Sequence, residues 1–404
     1  MRRESGFSLL ELTVAMTLML IVTASVFSMM NPANGAYAVE PEVTDMQQRL
    51  RVGADALFKD LVMAGGGAYQ GSKPGSLGFF FATVLPFRRG SVNPDPVGTF
   101  KTDTITLIYV PPTQTQTSIW DDMPQPSAEL KTSGEPGCPI DPQTGKIDQL
   151  CTFKEGMQVM IYDDTGSYDI FTITNVQPDA QQGGHLQHNQ DILSKSYKVG
   201  AKVVQMANHT YYLKSDDATK TYQLMHYDGS LNPDVPVADN VVGLSFEYWG
   251  DPQPPARTSA PLSDPTGPWT TYGPKPPQPT EQTSAYPKGE NCTFMLDPNN
   301  GLPVPRLANL SAAANPTALV KLTAAQLTDG PWCPDAQATN RWDADLLRIR
   351  KVAVTLRVQA ALESLRGPAG TLFAHAGTSR GGTKYAPDQE VRFQVTPRNL
   401  NLGR

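Results

Sequence analysis

The chain has 404 residues, 39% of them hydrophobic, and a formal net charge of −6 from 33 Lys and Arg against 39 Asp and Glu. An acidic balance of this kind argues against a nucleic-acid-binding surface, and the length allows one large domain or two ordinary ones. The 36 prolines and 33 glycines point to long loops, and the four cysteines form no C-x-x-C pair, which argues against zinc or a thioredoxin-like centre.

The first element is apolar. A run from Phe7 to about Met30 is interrupted by one carboxylate, Glu11, and is long enough to cross a bilayer as a single helix. A carboxylate in hydrocarbon costs roughly 2.5–3.5 kcal/mol on the insertion scale, so Glu11 calls for a partner. Cleavage after Gly6 would supply one, because the new amino group of Phe7 would lie one helical turn from Glu11.

The stretch Gly6-Phe7-Ser8-Leu9-Leu10-Glu11-Leu12-Thr13-Val14-Ala15-Met16 resembles the start of a type IV prepilin. The resemblance implies a leader, residues 1–6, removed by prepilin peptidase between Gly6 and Phe7. It also implies N-methylation of Phe7 and pairing of Glu11 with the amino terminus of a neighbouring subunit during assembly. Ser5 departs from the pattern, where a basic residue is common. Two other readings compete: an uncleaved signal anchor, and a signal peptide cut after Ala36-Tyr37-Ala38, with Arg2 and Arg3 as its basic start.

Beyond the membrane helix (residues 7–30), Asn31-Pro32-Ala33-Asn34-Gly35 predicts a kink or short unwound stretch. A second, amphipathic helix is expected after Pro41, begun by Glu42 or Thr44 and ended by Gly65-Gly66-Gly67. Val43, Met46, Leu50, Leu57 and Leu61 share one of its faces, which should pack on a sheet. Residues 31–64 therefore connect the anchor to a β-rich head, residues 65–404.

Within the head, strands are expected at Thr104–Val110, Gln158–Tyr162, Tyr168–Val176, Lys202–Met206, His209–Lys214, Thr221–Tyr227, Val241–Trp249, Ile349–Val358 and Val391–Val395. With no βαβ alternation the sheet should be antiparallel, giving an α+β fold. Residues 251–340 are Pro-rich and read as a long insertion between two strands, with one short helix near Pro316–Leu327. Four cysteines in an exported head suggest two disulfides. Sequential pairing, Cys138–Cys151 and Cys292–Cys333, would close a Pro-rich loop each time, though other connectivities and buried thiols remain open.

The order of the head motifs extends the resemblance. Asp103 to Tyr109, Gly156 to Ile161, Thr210 to Leu213, Gln223 to Tyr227, Val241 to Tyr248, Leu347 to Arg357 and Pro397 to Leu400 together resemble minor pilins of the PilW kind, relatives of the GspJ-like minor pseudopilin of type II secretion. The resemblance implies a pilin-like fold and a role in priming a pilus, at its tip in some cases. The implied partners are prepilin peptidase, other minor pilins, the major pilin, an inner-membrane assembly platform and, through residues 7–30, membrane lipid. The head would face the periplasm before assembly. No cofactor, metal or catalytic residue is implied.

Other patterns in the chain point elsewhere but lack the context their chemistry needs. Gly377-Thr378-Ser379-Arg380-Gly381 fits G-x-S-x-G with His375 nearby, but no helical pattern follows the serine as a nucleophile elbow requires. His185 and His188 form H-x-x-H in what reads as a solvated loop. Asp163-Asp164 and Asp216-Asp217 sit at turns without EF-hand spacing. Trp120, Trp249, Trp269, Trp332 and Trp342 are expected mostly in core packing or loop stapling. The alternatives are a GspJ-like minor pseudopilin of type II secretion and a tip adhesin binding a surface or ligand through the insertion, with an anchored hydrolase using Ser379 behind them.

Overall fold

The computed structural model describes residues 8–70, 73–113, 115–135, 138–140, 142–143, 149–179, 183–189, 191–256, 272–282, 285–312, 315–334, 342–379 and 384–401. Helix α1 spans Leu9–Met63, 55 residues or about 82 Å at 1.5 Å per residue. It runs unbroken through Asn31 to Gly35 and past Pro41, so neither the expected unwound stretch nor a second helix start is present. Ala33, Ala36 and Ala38 supply strong helix formers there, and extending a helix avoids the cost of nucleating a new one. Glu42 and Thr44 accordingly do other work. The Thr44 hydroxyl donates to the Glu40 carbonyl inside the helix, and the Glu42 carboxylate accepts from the Ala361 amide at 2.6 Å.

The two halves of α1 meet different surroundings. Leu9 to Met29, 21 residues, is long and apolar enough to cross a membrane, and none of it is buried in the head. The C-terminal half buries Met46, Leu50, Leu57 and Leu61 on one face, with Val43 partly buried beside them. Each fully buried side chain of this size contributes roughly 1.5–3 kcal/mol. Gly53 lies on the same face, where a Cβ would come within 2.9 Å of Leu356 and 3.2 Å of Leu224. The helix ends where Gly65 adopts φ +76, and a Cβ there would meet Leu400 at 2.4 Å.

Among the described residues every strand pairing in the head is antiparallel. One five-stranded sheet runs Val235–Asp239, Thr221–Tyr227, Ala207–Asp216, Thr104–Tyr109, Val84–Leu85. A four-stranded sheet runs Val320–Leu322, Val241–Gly250, Ile349–Val358, Gln389–Val395. Helix α1 packs against both, and the three share one core. A further lobe has its own core of Ile119, Leu130, Phe153, Ile161, Phe171, Leu186 and Val203. Its four-stranded sheet runs Gln116–Ser118, Lys202–Gln205, Gln158–Tyr162, Tyr168–Thr172. The strand expected to continue to Val176 stops at Thr172, and Asn175–Asp179 pairs instead with Gly183–Gln187 in a separate three-stranded sheet.

The insertion is woven into the head. Val320–Leu322 is a strand, not a helix, and it extends the sheet beside Val241–Gly250. Val320 favours this, and Lys321 reaches Glu247 across the pair at 2.8 Å. Thr323 to Leu327 forms a turn, held by reciprocal bonds between Thr323 and Gln326. Phe294, Leu307, Leu322 and Leu327 join the main core. The structure pairs Cys138 with Cys151 and Cys292 with Cys333.

The Cys292–Cys333 bridge spans 41 residues, and cross-linking a loop of that size stabilises by about 4 kcal/mol in the chain-entropy model. The double substitution Cys292→Ser and Cys333→Ser is expected to cost about 3–4 kcal/mol. Denaturant unfolding of the two proteins side by side checks this.

Candidate functional site

Three clusters of functional groups stand out, beginning at the start of α1. Ser8 is the N-cap and Glu11 the third helical residue. The Glu11 carboxylate accepts from the Ser8 amide at 3.0 Å and hydroxyl at 3.1 Å, while the Ser8 hydroxyl oxygen accepts from the Glu11 amide at 3.2 Å. This is a capping box, and it satisfies two donors that a helix start leaves open. The pattern S-x-x-E was present in the sequence, yet the membrane argument drew attention only to the glutamate. Gly6 and Phe7, the expected cleavage and methylation positions, lie outside the described residues.

The second cluster joins α1 to the five-stranded sheet. Asp60, buried on the helix, accepts from the Tyr109 hydroxyl at 2.9 Å and the Tyr211 hydroxyl at 2.6 Å. His209 Nδ1 lies 2.7 Å from the same carboxylate. Register explains the convergence: Ala207 pairs with Tyr109, and Tyr211 pairs with both Ile105 and His226, so these side chains emerge as near neighbours. The His226 ring meets His209 edge-on at 4.7 Å and Tyr211 at 4.9 Å. Burial alone would raise the Asp60 carboxyl, but bonds from His209, Tyr211 and Tyr109 outweigh it and hold the group below the usual carboxylate range. Burial, then the nearby His209, pushes the His226 imidazole down. Asp60 lies outside the periodic apolar set of Val43, Met46, Leu50, Leu57 and Leu61, so periodicity carries no signal that it is buried.

The third cluster fixes the insertion. Arg348 is fully buried and donates to the carbonyls of Asp251 at 3.2 Å, Pro252 at 3.1 Å and Ala308. It also pairs with Asp345. Arg350 lies 3.0 Å from Asp251 and donates to the carbonyls of Leu347 and Ile349. Beside them Asp343 accepts from the amides of Gly330 and Asp345. Burial, with Asp345 and Asp329 adding repulsion, pushes the Asp343 carboxyl up to about 7. Burial pushes Asp345 up to about 6 against the pull of Arg348.

Ser379 donates to the Lys384 carbonyl at 3.4 Å, whereas His375 stacks on Tyr222 and lies 3.0 Å from Gln359 Oε1. His185 sits in a strand with its ring 2.7 Å from Glu129. His188, expected in a solvated loop, is buried, its two nitrogens 2.6 Å and 2.8 Å from the carbonyl oxygens of Asp191 and Ala128. The loop reading failed because Gly183 and Gly184 serve a strand rather than a turn. Asp163 and Asp216 each close a turn by accepting from the residues that follow. Trp342 is buried in the core, Trp249 and Trp120 lie under lysines, and Trp269 falls outside the described residues.

Compared with known proteins, residues 1–27 match the family described as the prokaryotic N-terminal methylation motif. No curated protein and no solved structure matches the chain. The motif and the exposed apolar helix support a type IV prepilin-like chain anchored in a membrane before assembly.

The Asp343 carboxyl has a folded-state pKa above its unfolded value, so it holds its proton longer in the folded protein. Its contribution to stability is full below the unfolded value near 4 and is lost as pH rises through about 7. Relative to Asp343→Asn, which stays neutral, the wild type is expected to gain about 1–3 kcal/mol between pH 8 and pH 5. Urea titrations of both proteins at the two pH values measure it.

Proposed function

We propose that this chain is a minor type IV pilin of the PilW-like kind, processed by prepilin peptidase and acting in pilus assembly and priming rather than in catalysis. The observation that carries the reading is the N-terminal match over residues 1–27, on a helix whose apolar half stands clear of the head. Such a helix can leave lipid and enter a bundle of like helices without repacking the head. In the intact chain Ser8 supplies the donors for Glu11. Removal of the leader adds a cation one turn away, and an ammonium offers the acid a full charge where Ser8 offers only dipoles. In a growing filament that charge belongs to a neighbouring subunit, which fixes the axial register of the incoming helix. The working partners are therefore the peptidase, the other minor pilins, the major pilin and the inner-membrane platform.

The adhesin alternative gains no support from the insertion's place in the fold. A segment that adds a strand and core side chains to the head is structural before it is anything else. Its removal would destroy the head along with any surface it presents.

Two measurements test the reading. Mass spectrometry of the native protein is expected to show a mature chain starting at N-methylated Phe7; a start at Val39 would overturn the proposal. Glu11→Ala is expected to leave the protein in the membrane fraction and remove it from sheared filaments. Undiminished incorporation of that variant in a strain lacking the parent gene speaks against the role given to Glu11.

A further inference from the structure

The Asp60, His209 and His226 side chains do more than join helix to sheet. Each offers a metal-ligating atom, and the three atoms lie within 4.8 Å of one another. Two imidazole nitrogens and one carboxylate oxygen form a donor set suited to zinc and neighbouring divalent transition metals, and unsuited to calcium or magnesium. Three further observations favour a ligand. The His226 Nε2 atom is out of contact with solvent and has no hydrogen-bond partner, a state that costs on the order of 1–3 kcal/mol when it persists. Tyr109 and Tyr211 already hold the Asp60 carboxylate by its two oxygens, the outer support that a ligating carboxylate needs. His209 is one-quarter exposed, which leaves a way in from solvent.

We propose that Asp60, His209 and His226 bind one divalent transition metal ion of the zinc type at the joint between the helix and the sheet. The ligands come from α1, from Ala207–Asp216 and from Thr221–Tyr227, so one ion ties three elements together. A solvent molecule completes a four-coordinate shell from the His209 side. Binding requires both imidazoles to present a lone pair. Protons compete with the ion for those lone pairs, so affinity falls at acid pH. This inference does not depend on the pilin reading.

The test uses the full-length chain in detergent, purified without a polyhistidine tag, stripped by chelator and titrated with Zn2+ or Co2+ at neutral pH. One equivalent is expected to bind, with the intense visible absorption of four-coordinate Co2+ and a rise in melting temperature on adding Zn2+. Tyr211→Phe, which removes an outer donor, should weaken binding about tenfold, and His226→Gln should weaken it more. The His226 Nε2 atom makes no hydrogen bond, so its variant is expected to fold, which unchanged circular dichroism verifies. His185→Gln, in the separate lobe, should bind as the parent does. Substoichiometric binding by the folded parent, the weak spectrum of hydrated Co2+, or undiminished binding by His226→Gln overturns the assignment.

Discussion

One helix has to satisfy two environments, and the rest of the molecule is arranged around that demand. The N-terminal half of α1 is apolar on every side, as a helix in lipid must be, because lipid leaves no face that prefers water. The C-terminal half is apolar on one stripe only, and that stripe needs a sheet. Helical geometry persists through Asn31 to Gly35 and joins the two halves into a single helix. The head is therefore built on the helix, with the five-stranded and four-stranded sheets packed against the same stripe.

Within the head, apolar burial supplies the bulk of the attachment and buried polar groups set its register. Asp60 has three partners, and all three come from two neighbouring strands whose pairing fixes their spacing. A slip of the helix by one turn would leave a carboxylate buried without donors, at a cost of several kcal/mol. Arg348 and Arg350 act in the same way for the insertion. Arg348 holds the carbonyls of residues 251, 252 and 308, and Arg350 pairs with the Asp251 carboxylate, so backbone groups that prolines leave without a ladder partner are satisfied. The described parts of the segment that reads as a loop are thus tied to the head by two cations, a disulfide and a three-residue strand.

What was legible in the sequence was what repeats or alternates. The stripe from Met46 to Leu61 and the strands Thr221–Tyr227 and Ile349–Val358 fall where periodicity places them, since one buried face imposes that pattern on any sequence. The N-terminal motif was legible because its chemistry is local. The failures share a cause in long-range packing. Pro32 and Pro41 looked like breaks, yet the helix on either side carries them. Val320–Leu322 looked helical, yet a partner strand 72 residues earlier claims it. The Asp60 cluster assembles from four places in the chain, and no window of sequence contains it.

The geometry of that cluster bears on mechanics. The hydroxyls of Tyr109 and Tyr211 and the ring of His209 all reach one side chain on the helix. Traction along the helix would therefore strain these contacts together instead of unzipping them in succession. Contacts that yield in concert resist force better than contacts that peel, so the junction between stem and head is armoured against pulling along the stem's own axis.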